Sequence, residues 1–448
     1  MRSMDARHAF KGKKITVMGF GLLGGVGDIA FLAESGADLI VTDLKGEADA
    51  APSLEALKRF PNIRYTLGRH KLADFRGREL IVKAPSTPLD SPFVNEARKE
   101  GTPITMWAAL FAGFARDAGA TVVGVTGTRG KTTATEMLAA ILRAAGRPVI
   151  EGGNIRGTAL LARTSELTSD TAVVLELDSW KLQGFGEARI SPHIAVFTTF
   201  FDDHLNYYKG DRGAYLADKA NVFLCQSPSD TLVLGRQCAA TVIEKYGDRI
   251  DAHVVIADEH KLPDTWALCI PGLHNRYNAA LALSAARALG VDDAVSKKAL
   301  ESFAGVPGRL ELVREANGVK VYNDTTATTP EATLAALAAL RDARLTKPNV
   351  ILIMGGADKE LDMSALMAKL PEVKRVVLLA GTGTERIRAD MPDASVFHTL
   401  ADAVASAFAH AEKGDVILFS PAFASFGMFK NEYDRGEQFD ALVKGRAC

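Results

Sequence analysis

The chain holds 448 residues, room for about three domains at ~150 residues each. Its 53 lysines and arginines balance 54 aspartates and glutamates to a net charge of −1, which argues against a general nucleic-acid-binding surface, and an apolar fraction of 47% argues against disorder. No apolar run approaches the ~20 residues that span a bilayer, and no apolar stretch follows the basic residues of the opening segment, so no membrane insertion and a cytoplasmic location are expected. Cys225, Cys238, Cys269 and Cys448 are widely separated, a spacing that suits neither a zinc site nor a disulfide framework.

In chain order, the first segment predicts a strand over 14–18 that runs into Gly19-Phe20-Gly21-Leu22-Leu23-Gly24, then a helix over 27–35 and a strand over 37–41 ending near Asp43. This G-x-G-x-x-G pattern lies between strand and helix, and an acid follows nineteen residues after Gly24, close to the ~20 at which a carboxylate meets a ribose. The pattern predicts a nucleotide fold without naming the nucleotide. A third strand, 79–83, stops at Ala84-Pro85-Ser86-Thr87-Pro88, a rigid loop facing the same crevice.

A β-branched run at 121–125 then leads into Thr126-Gly127-Thr128-Arg129-Gly130-Lys131-Thr132-Thr133, with a helical pattern from Ala134. Strand, glycine-rich turn and helix in that order make a phosphate cradle. Glycines let backbone N–H groups approach the oxygens, Lys131 adds a charge, and the helix start favours anions. Thr132 sits where a hydroxyl holds Mg²⁺. The spacing departs from G-x-x-x-x-G-K at one point, since Val125 stands where a glycine is usual.

A strand at 149–153 bends at Asn154, and the apolar run 171–177 reads as a central parallel strand covered on both faces, with Glu176 at its end. The next strand, 193–198, ends in Thr199-Phe200-Phe201-Asp202-Asp203-His204. Successive strands thus deliver Glu176 and His204 to the edge that carries the phosphate loop. A helical segment at 214–224 contains Lys219. Further on, Gly272-Leu273-His274-Asn275-Arg276-Tyr277-Asn278 opens an alanine-rich helix, where Asn275 and Asn278 stand one turn apart with amides able to read a purine edge.

After Pro307-Gly308-Arg309 the pattern restarts. Strands over 319–322, 349–354, 375–380 and 415–419 each end in polar or glycine-rich loops, and Thr329-Pro330 reads as an N-cap with the first helical residue. Alternating strands and helices predict a third α/β domain. The expected division is 1–103, 104–305 and 306–448: a Rossmann-like domain, a P-loop ATPase-like parallel sheet, and a second Rossmann-like domain.

The ordered motifs Gly124-x-Thr126-Gly127-Thr128-x-Gly130-Lys131-Thr132-Thr133, Glu176, Asp203-His204, Gly272-x-His274-Asn275-x-x-Asn278, Gly308-Arg309-x-Glu311, Asn323-Asp324-x-x-Ala327-Thr328, Gly355-Gly356-x-Asp358-Lys359 and Ser420-Pro421-x-x-x-Ser425-Phe426 cover nearly the whole chain. Together they resemble the Mur ligases, most of all the glutamate-adding, MurD-type branch. The resemblance implies an ATP-dependent amide ligase that joins glutamate to UDP-N-acetylmuramoyl-L-alanine through an acyl phosphate, in the synthesis of peptidoglycan precursors.

The same resemblance implies roles. Lys131, Glu176, His204 and Lys219 are the catalytic candidates. Gly127, Thr128, Gly130, Lys131, Thr132 and Thr133 cradle the ATP phosphates, while Asn275, Asn278, Arg309 and Asp324 contact substrate or adenine nucleotide. Two Mg²⁺ sites draw on Thr132, Glu176, His204 and Lys219, the last as a carbamate. Gly21, Leu22, Asp43, Ser86 and Asn154 serve the uridine substrate, and Thr328, Lys359 and Ser425 grip the incoming glutamate. Small molecules are the only partners implied, and a monomer is expected.

Departures from the family pattern are local. Glu176-Leu177-Asp178-Ser179-Trp180-Lys181-Leu182 stands where Glu-Leu-Ser-Ser-Phe-Gln-Leu is common, and Asp178 with Lys181 suggests an ion pair in place of a polar contact. Thr326 replaces a usual lysine, Gly308 a usual histidine, and Glu432-Tyr433 follows Asn431 where a phenylalanine is frequent. These last changes lie near the amino-acid pocket and leave D- and L-glutamate both open. The alternatives are a family ligase for L-glutamate or another amino acid, and a non-catalytic sensor of a uridine nucleotide. A nicotinamide-dependent dehydrogenase accounts for the first domain alone.

Overall fold

The computed structural model describes residues 6–21, 25–154, 159–204, 206–341 and 348–445. One compact unit runs through Asp264 and takes in Tyr277–Leu300; the other holds Thr265–Arg276 and continues from Glu301.

The first unit contains two parallel sheets. Strands β1 (Lys14–Met18), β2 (Asp38–Asp43), β3 (Ile63–Leu67), β4 (Leu80–Lys83) and β5 (Ile104–Thr105) form a sheet of order β3-β2-β1-β4-β5. The chain leaves β1 for one side and returns to the other at β4, so the crevice at their C-terminal ends is a topological switch point. There Gly19 has φ +87°, and a Cβ on it would lie 2.8 Å from the Ala84 Cβ. The two loops expected to face one crevice do meet. Strand β5 completes this sheet just beyond the expected boundary at 103.

Strands β6 (Thr121–Thr126), β7 (Val149–Gly153), β8 (Ala172–Glu176), β9 (Ile194–Phe197), β10 (Thr231–Gly235) and β11 (His253–Ala257) form the second sheet, in the order β11-β10-β9-β6-β8-β7. Every pairing in it is parallel. The loops after β6, β7, β8 and β9 therefore emerge on one edge, as the apolar runs predicted. Strands β6, β8 and β9 are almost wholly buried.

Both sheets share one apolar core, in which Phe10, Phe31 and Phe114 pack beside Leu160, Leu175 and Phe185. Buried polar contacts stitch the same seam. The Leu161 N–H donates to Asp28 Oδ1 over 2.7 Å, and a Cβ on Gly27 would lie 2.4 Å from the Ala159 Cβ. Burial pushes the Asp28 carboxyl up to about 7 against those backbone bonds.

The second unit carries strands β12 (Glu311–Ala316), β13 (Val319–Asn323), β14 (Val350–Gly355), β15 (Arg375–Leu379), β16 (Ser395–Phe397) and β17 (Val416–Phe419), ordered β12-β13-β17-β14-β15-β16. Only the β12–β13 pairing is antiparallel. Helix Pro330–Leu340 packs on one face of this sheet, and helices Leu400–Ala409 and Glu432–Lys444 on the other.

Candidate active site

The phosphate loop leaves β6 through two glycines that no other residue could replace without movement. Gly127 has φ +141°, and a Cβ there would lie 1.9 Å from Thr198 Oγ1; Gly130 has φ +82°, and its Cβ would lie 2.3 Å from Asn278 Oδ1. The helix that follows is Lys131–Ala144, three residues earlier than the sequence pattern suggested. Lys131, Thr132 and Thr133 thus occupy its first turn, where backbone N–H groups have no helical partner and point toward an anion.

The loop after β9 braces this cradle. The Thr128 N–H donates to the Thr199 carbonyl over 2.7 Å and the Arg129 N–H to Thr199 Oγ1 over 2.9 Å. Arg129 pairs with Asp203 at 3.2 Å. The Phe201 N–H donates to Thr128 Oγ1 over 3.0 Å, so residues 198–203 and the phosphate loop form one piece. Lys131 Nζ lies over the loop and donates to the carbonyls of Gly127 and Thr128, at 3.0 and 3.1 Å.

Lys219, in helix Arg212–Ala220, is buried to 1% exposure. Its Nζ donates to the Gly127 carbonyl over 2.9 Å and sits 4.8 Å above the centre of the Tyr215 ring. Burial, reinforced by the nearby Lys131 charge, lowers its pKa far below the ordinary lysine value, against the pull of Asp178, Asp203 and Asp218.

His204 adopts φ +53° at the end of the braced loop. Its ring lies 4.7 Å from that of Trp180 and 6.2 Å from that of Tyr215. Burial lowers its pKa, with Lys131 and Lys219 acting in the same direction and Asp203 opposing, which favours neutral imidazole. Glu176 ends β8, 5% exposed, and accepts from Asn154 Nδ2 over 3.4 Å. Asp178 and Lys181 form the expected ion pair at 3.0 Å. Among the described residues, no three His, Cys, Asp or Glu side chains stand together so as to hold a metal ion. Any cation here would draw further oxygens from Thr132, water or a bound substrate.

The crevice of the first sheet holds the other candidates. Asp43 accepts the Phe20 N–H at Oδ2 over 3.0 Å and the Lys45 N–H at Oδ1 over 2.9 Å, so its carboxylate shapes the glycine loop. Gly21 and Ser86 are exposed on neighbouring loops, and Leu22 lies outside the described residues. Sequence reasoning missed Lys83. This buried lysine donates to the Thr87 carbonyl over 2.8 Å and to Gln183 Oε1 over 3.2 Å, and burial pulls its pKa down to about 8. Gln183 in turn donates to Asp218 over 2.7 Å, beside Lys219.

In the second unit a cavity of about 280 Å³ is lined by Arg309, Thr328, Lys359, Ser425, Glu432 and Tyr433, among others. The three residues expected to grip an amino acid are together there, and Lys359 Nζ donates to Thr328 Oγ1 over 3.0 Å. Asp324 does not line it. Its carboxyl lies beneath, accepting from the Leu310 N–H at 3.0 Å and from Ser420 Oγ at 2.8 Å, and burial pushes it up to about 7. Asn275 turns its amide to the Pro271 carbonyl, 2.7 Å away.

Arg435, wholly buried, is the second residue missed. It donates to the Thr325 carbonyl over 2.8 Å and to Thr325 Oγ1 and the Phe423 carbonyl over 3.2 Å each, so it ties together two walls of the cavity. Burial draws its guanidinium down to about 10.

Comparison with known proteins gives matches along most of the chain. A family model described as the Mur ligase MurD-like N-terminal domain matches residues 13–106, the Mur ligase middle domain matches 125–267, and the Mur ligase glutamate ligase domain matches 308–423. The protein named UDP-N-acetylmuramoylalanine--D-glutamate ligase from Roseiflexus sp. (strain RS-1) is 39% identical, over 97% of this chain and 98% of that one. Its namesake from Acetivibrio thermocellus is 34% identical over 98% of each. Among solved structures, the UDP-N-acetylmuramate-alanine ligase MurC of Thermotoga maritima is similar with a TM-score of 0.58 at 20% identity, covering 96% of this chain and 99% of that one. The MurF ligase of the same organism, solved with ADP, is similar with a TM-score of 0.56 at 19% identity, covering 91% and 95%.

Three α/β sheets with a phosphate loop on the central one, in a chain with these relatives, define an ATP-dependent amide ligase. The chain belongs to the Mur ligase family.

Proposed function

We propose that this enzyme joins D-glutamate to the L-alanine carboxylate of UDP-N-acetylmuramoyl-L-alanine with cleavage of ATP to ADP and phosphate. The observation that supports this reading best is the near-full-length kinship to ligases named for that reaction, at 39% and 34% identity. The phosphate loop and the cationic cavity supply the chemistry it needs.

A carboxylate is a poor electrophile, so it must first be activated. Its oxygen attacks the γ-phosphorus, the β–γ bridge breaks, and an acyl phosphate forms. Two anions meet in this step, so stabilisation of negative charge dominates. Lys131 and the first-turn N–H groups of Thr132 and Thr133 hold the phosphate oxygens, with Gly127, Thr128 and Gly130 allowing their approach. The amino group of glutamate then attacks the acyl carbon, and phosphate leaves with the oxygen it took from the carboxylate.

The residues present fit Mg²⁺. Glu176 keeps acceptor capacity beyond its single 3.4 Å contact, and His204 is neutral. We assign Thr132, Glu176, His204 and Lys219 to hold two such ions, which when bound screen the phosphate charge. Lys219 serves as a carbamate: its amine, in the neutral form, adds to CO₂, forming an N–C bond and releasing a proton. One N–H remains to keep the bond to the Gly127 carbonyl, and an anionic oxygen pair replaces a potential cation.

Lys359 is the cation that meets the amino acid, with Thr328 and Ser425 as hydroxyl partners. Gly21, Leu22, Asp43 and Ser86 contact the uridine nucleotide, and Asn154 the substrate between sheets. Asn275, Asn278, Arg309 and Asp324 serve the adenine nucleotide. We place the functional domains at 1–103, 104–305 and 306–448, in a cytoplasmic monomer. Incubating the purified protein with ATP, UDP-N-acetylmuramoyl-L-alanine and either enantiomer of glutamate tests the reading. A product heavier by one glutamyl residue is expected with D-glutamate. Product from L-glutamate alone would reverse the stereochemical assignment, and no product from either would end the reading.

A further inference from the structure

A chain of polar contacts behind Glu176 joins two features described above. Lys181 Nζ donates to Asn154 Oδ1 and, over 3.0 Å, to Asp178 Oδ2. Asp178 caps the helix Ser179–Ala188, its Oδ1 accepting the Lys181 N–H over 2.7 Å. Asn154 in turn donates from Nδ2 to Glu176 Oε1.

The backbone fixes the two ends of this chain against each other. The Asn154 N–H donates to the Glu176 carbonyl over 3.0 Å, and Gly153, with φ +88°, permits that approach because a Cβ would lie 2.0 Å from the same oxygen. The donor logic then has one solution. An ammonium can only donate, so Asn154 must present its oxygen to Lys181; its nitrogen is left to Glu176, which can only accept. A glutamine at 181 could still donate to that oxygen, but as a neutral amide without the Asp178 ion pair it would hold the Asn154 amide less firmly.

We propose that Lys181, anchored by Asp178, is a positioning residue that clamps the Asn154 amide from the side opposite Glu176 and so holds Glu176 Oε1 on it, leaving Oε2 to a divalent cation. This deepens the assignment of Glu176 as a cation ligand and rests on it. Outer partners of a metal ligand govern affinity through orientation, and their loss lowers metal affinity by roughly 10–100-fold.

The test is binding rather than turnover. The intact chain and its Lys181→Met variant are titrated calorimetrically with β,γ-imido-ATP, once with saturating MgCl₂ and once with EDTA. The variant is expected to bind about tenfold more weakly with magnesium and unchanged in EDTA. Wild-type affinity in magnesium, or an equal loss in both conditions, overturns the proposal. Lys181→Gln, which keeps the size of the side chain, carries the test if the methionine variant does not fold: about threefold weaker binding confined to magnesium is expected, and none overturns it. A wild-type protein that binds magnesium nucleotide yet makes no amide product would count against the ligase reading and leave this comparison standing.

Discussion

Lys219 Nζ donates to the Gly127 carbonyl over 2.9 Å, so the helix that carries the lysine is latched to the first glycine of the phosphate loop. The amine is fully buried beside Lys131, and both burial and that charge lower its pKa and favour the neutral form. A neutral, desolvated amine is a nucleophile, and the loop to which it is fastened is where phosphate charge has to be screened. Replacing Lys219 with alanine is expected to lower kcat by about 100-fold or more, since the proposed carbamate ligand of the charge-screening cation is lost. A short carboxylic acid such as acetate should restore part of the rate by occupying the vacated space. Steady-state kinetics of the variant with and without acetate provide the check; wild-type turnover without rescue would contradict the carbamate.

Lys359 touches the opposite end of the chemistry. It lines the cavity of the second unit and bonds Thr328. Lys359→Ala should raise the KM for glutamate about 10–100-fold, the loss of one charge-assisted contact, with a smaller change in kcat. Initial rates across glutamate concentrations decide this, and an unchanged KM would remove Lys359 from the pocket.

Asp28 predicts a pH dependence of stability. Its carboxyl titrates near 7 in the folded chain and near 4 when unfolded. The folded state therefore binds more protons between those values, and stability falls as pH rises from about 4 to about 7, then levels off. Asp28→Asn keeps an oxygen for the Leu161 N–H and removes the titration. Relative to wild type it should gain roughly 1–3 kcal/mol at pH 8 and almost nothing at pH 4.5. Urea denaturation at the two pH values measures the difference; an equal gain at both would refute the assignment.

Arg435 predicts a structural effect at a distance from any ligand. Removing a buried guanidinium leaves two carbonyls and a hydroxyl without donors, each worth about 1–3 kcal/mol. Arg435→Met should destabilise the second unit by several kcal/mol, and in protein that remains folded it should raise the KM for glutamate. A melting curve unchanged from wild type would show that the walls of the cavity stand without it.

What the sequence made legible follows the physics of each element. Strands β6, β8 and β9 were readable because they are buried on both faces and consist mainly of apolar residues. Strand β12 was not: at the edge of its sheet, Glu311–Ala316 mixes charged and apolar residues and pairs antiparallel by a turn at Asn317-Gly318. The start of the phosphate-loop helix was placed late because Lys131, Thr132 and Thr133 are poor markers of a helix interior, yet they are the first-turn residues an anion site requires. Within the candidate sites, the family resemblance pointed to Lys219, Lys359 and Thr328. Lys83 and Arg435 escaped because their hydrogen bonds go largely to backbone carbonyls, and no spacing of residue types announces such a contact. The Asp178–Lys181 pair was visible as a departure from the family pattern, while its reach to Asn154 needed coordinates.

The account depends on the carboxylate being phosphorylated before the amide forms. The direct measurement is isotope transfer: UDP-N-acetylmuramoyl-L-alanine carrying ¹⁸O in both carboxylate oxygens is turned over with ATP and D-glutamate, and the released phosphate is weighed by mass spectrometry. One ¹⁸O in each phosphate, with the other retained in the new amide, is the predicted result. Phosphate free of ¹⁸O alongside normal amide formation would contradict it.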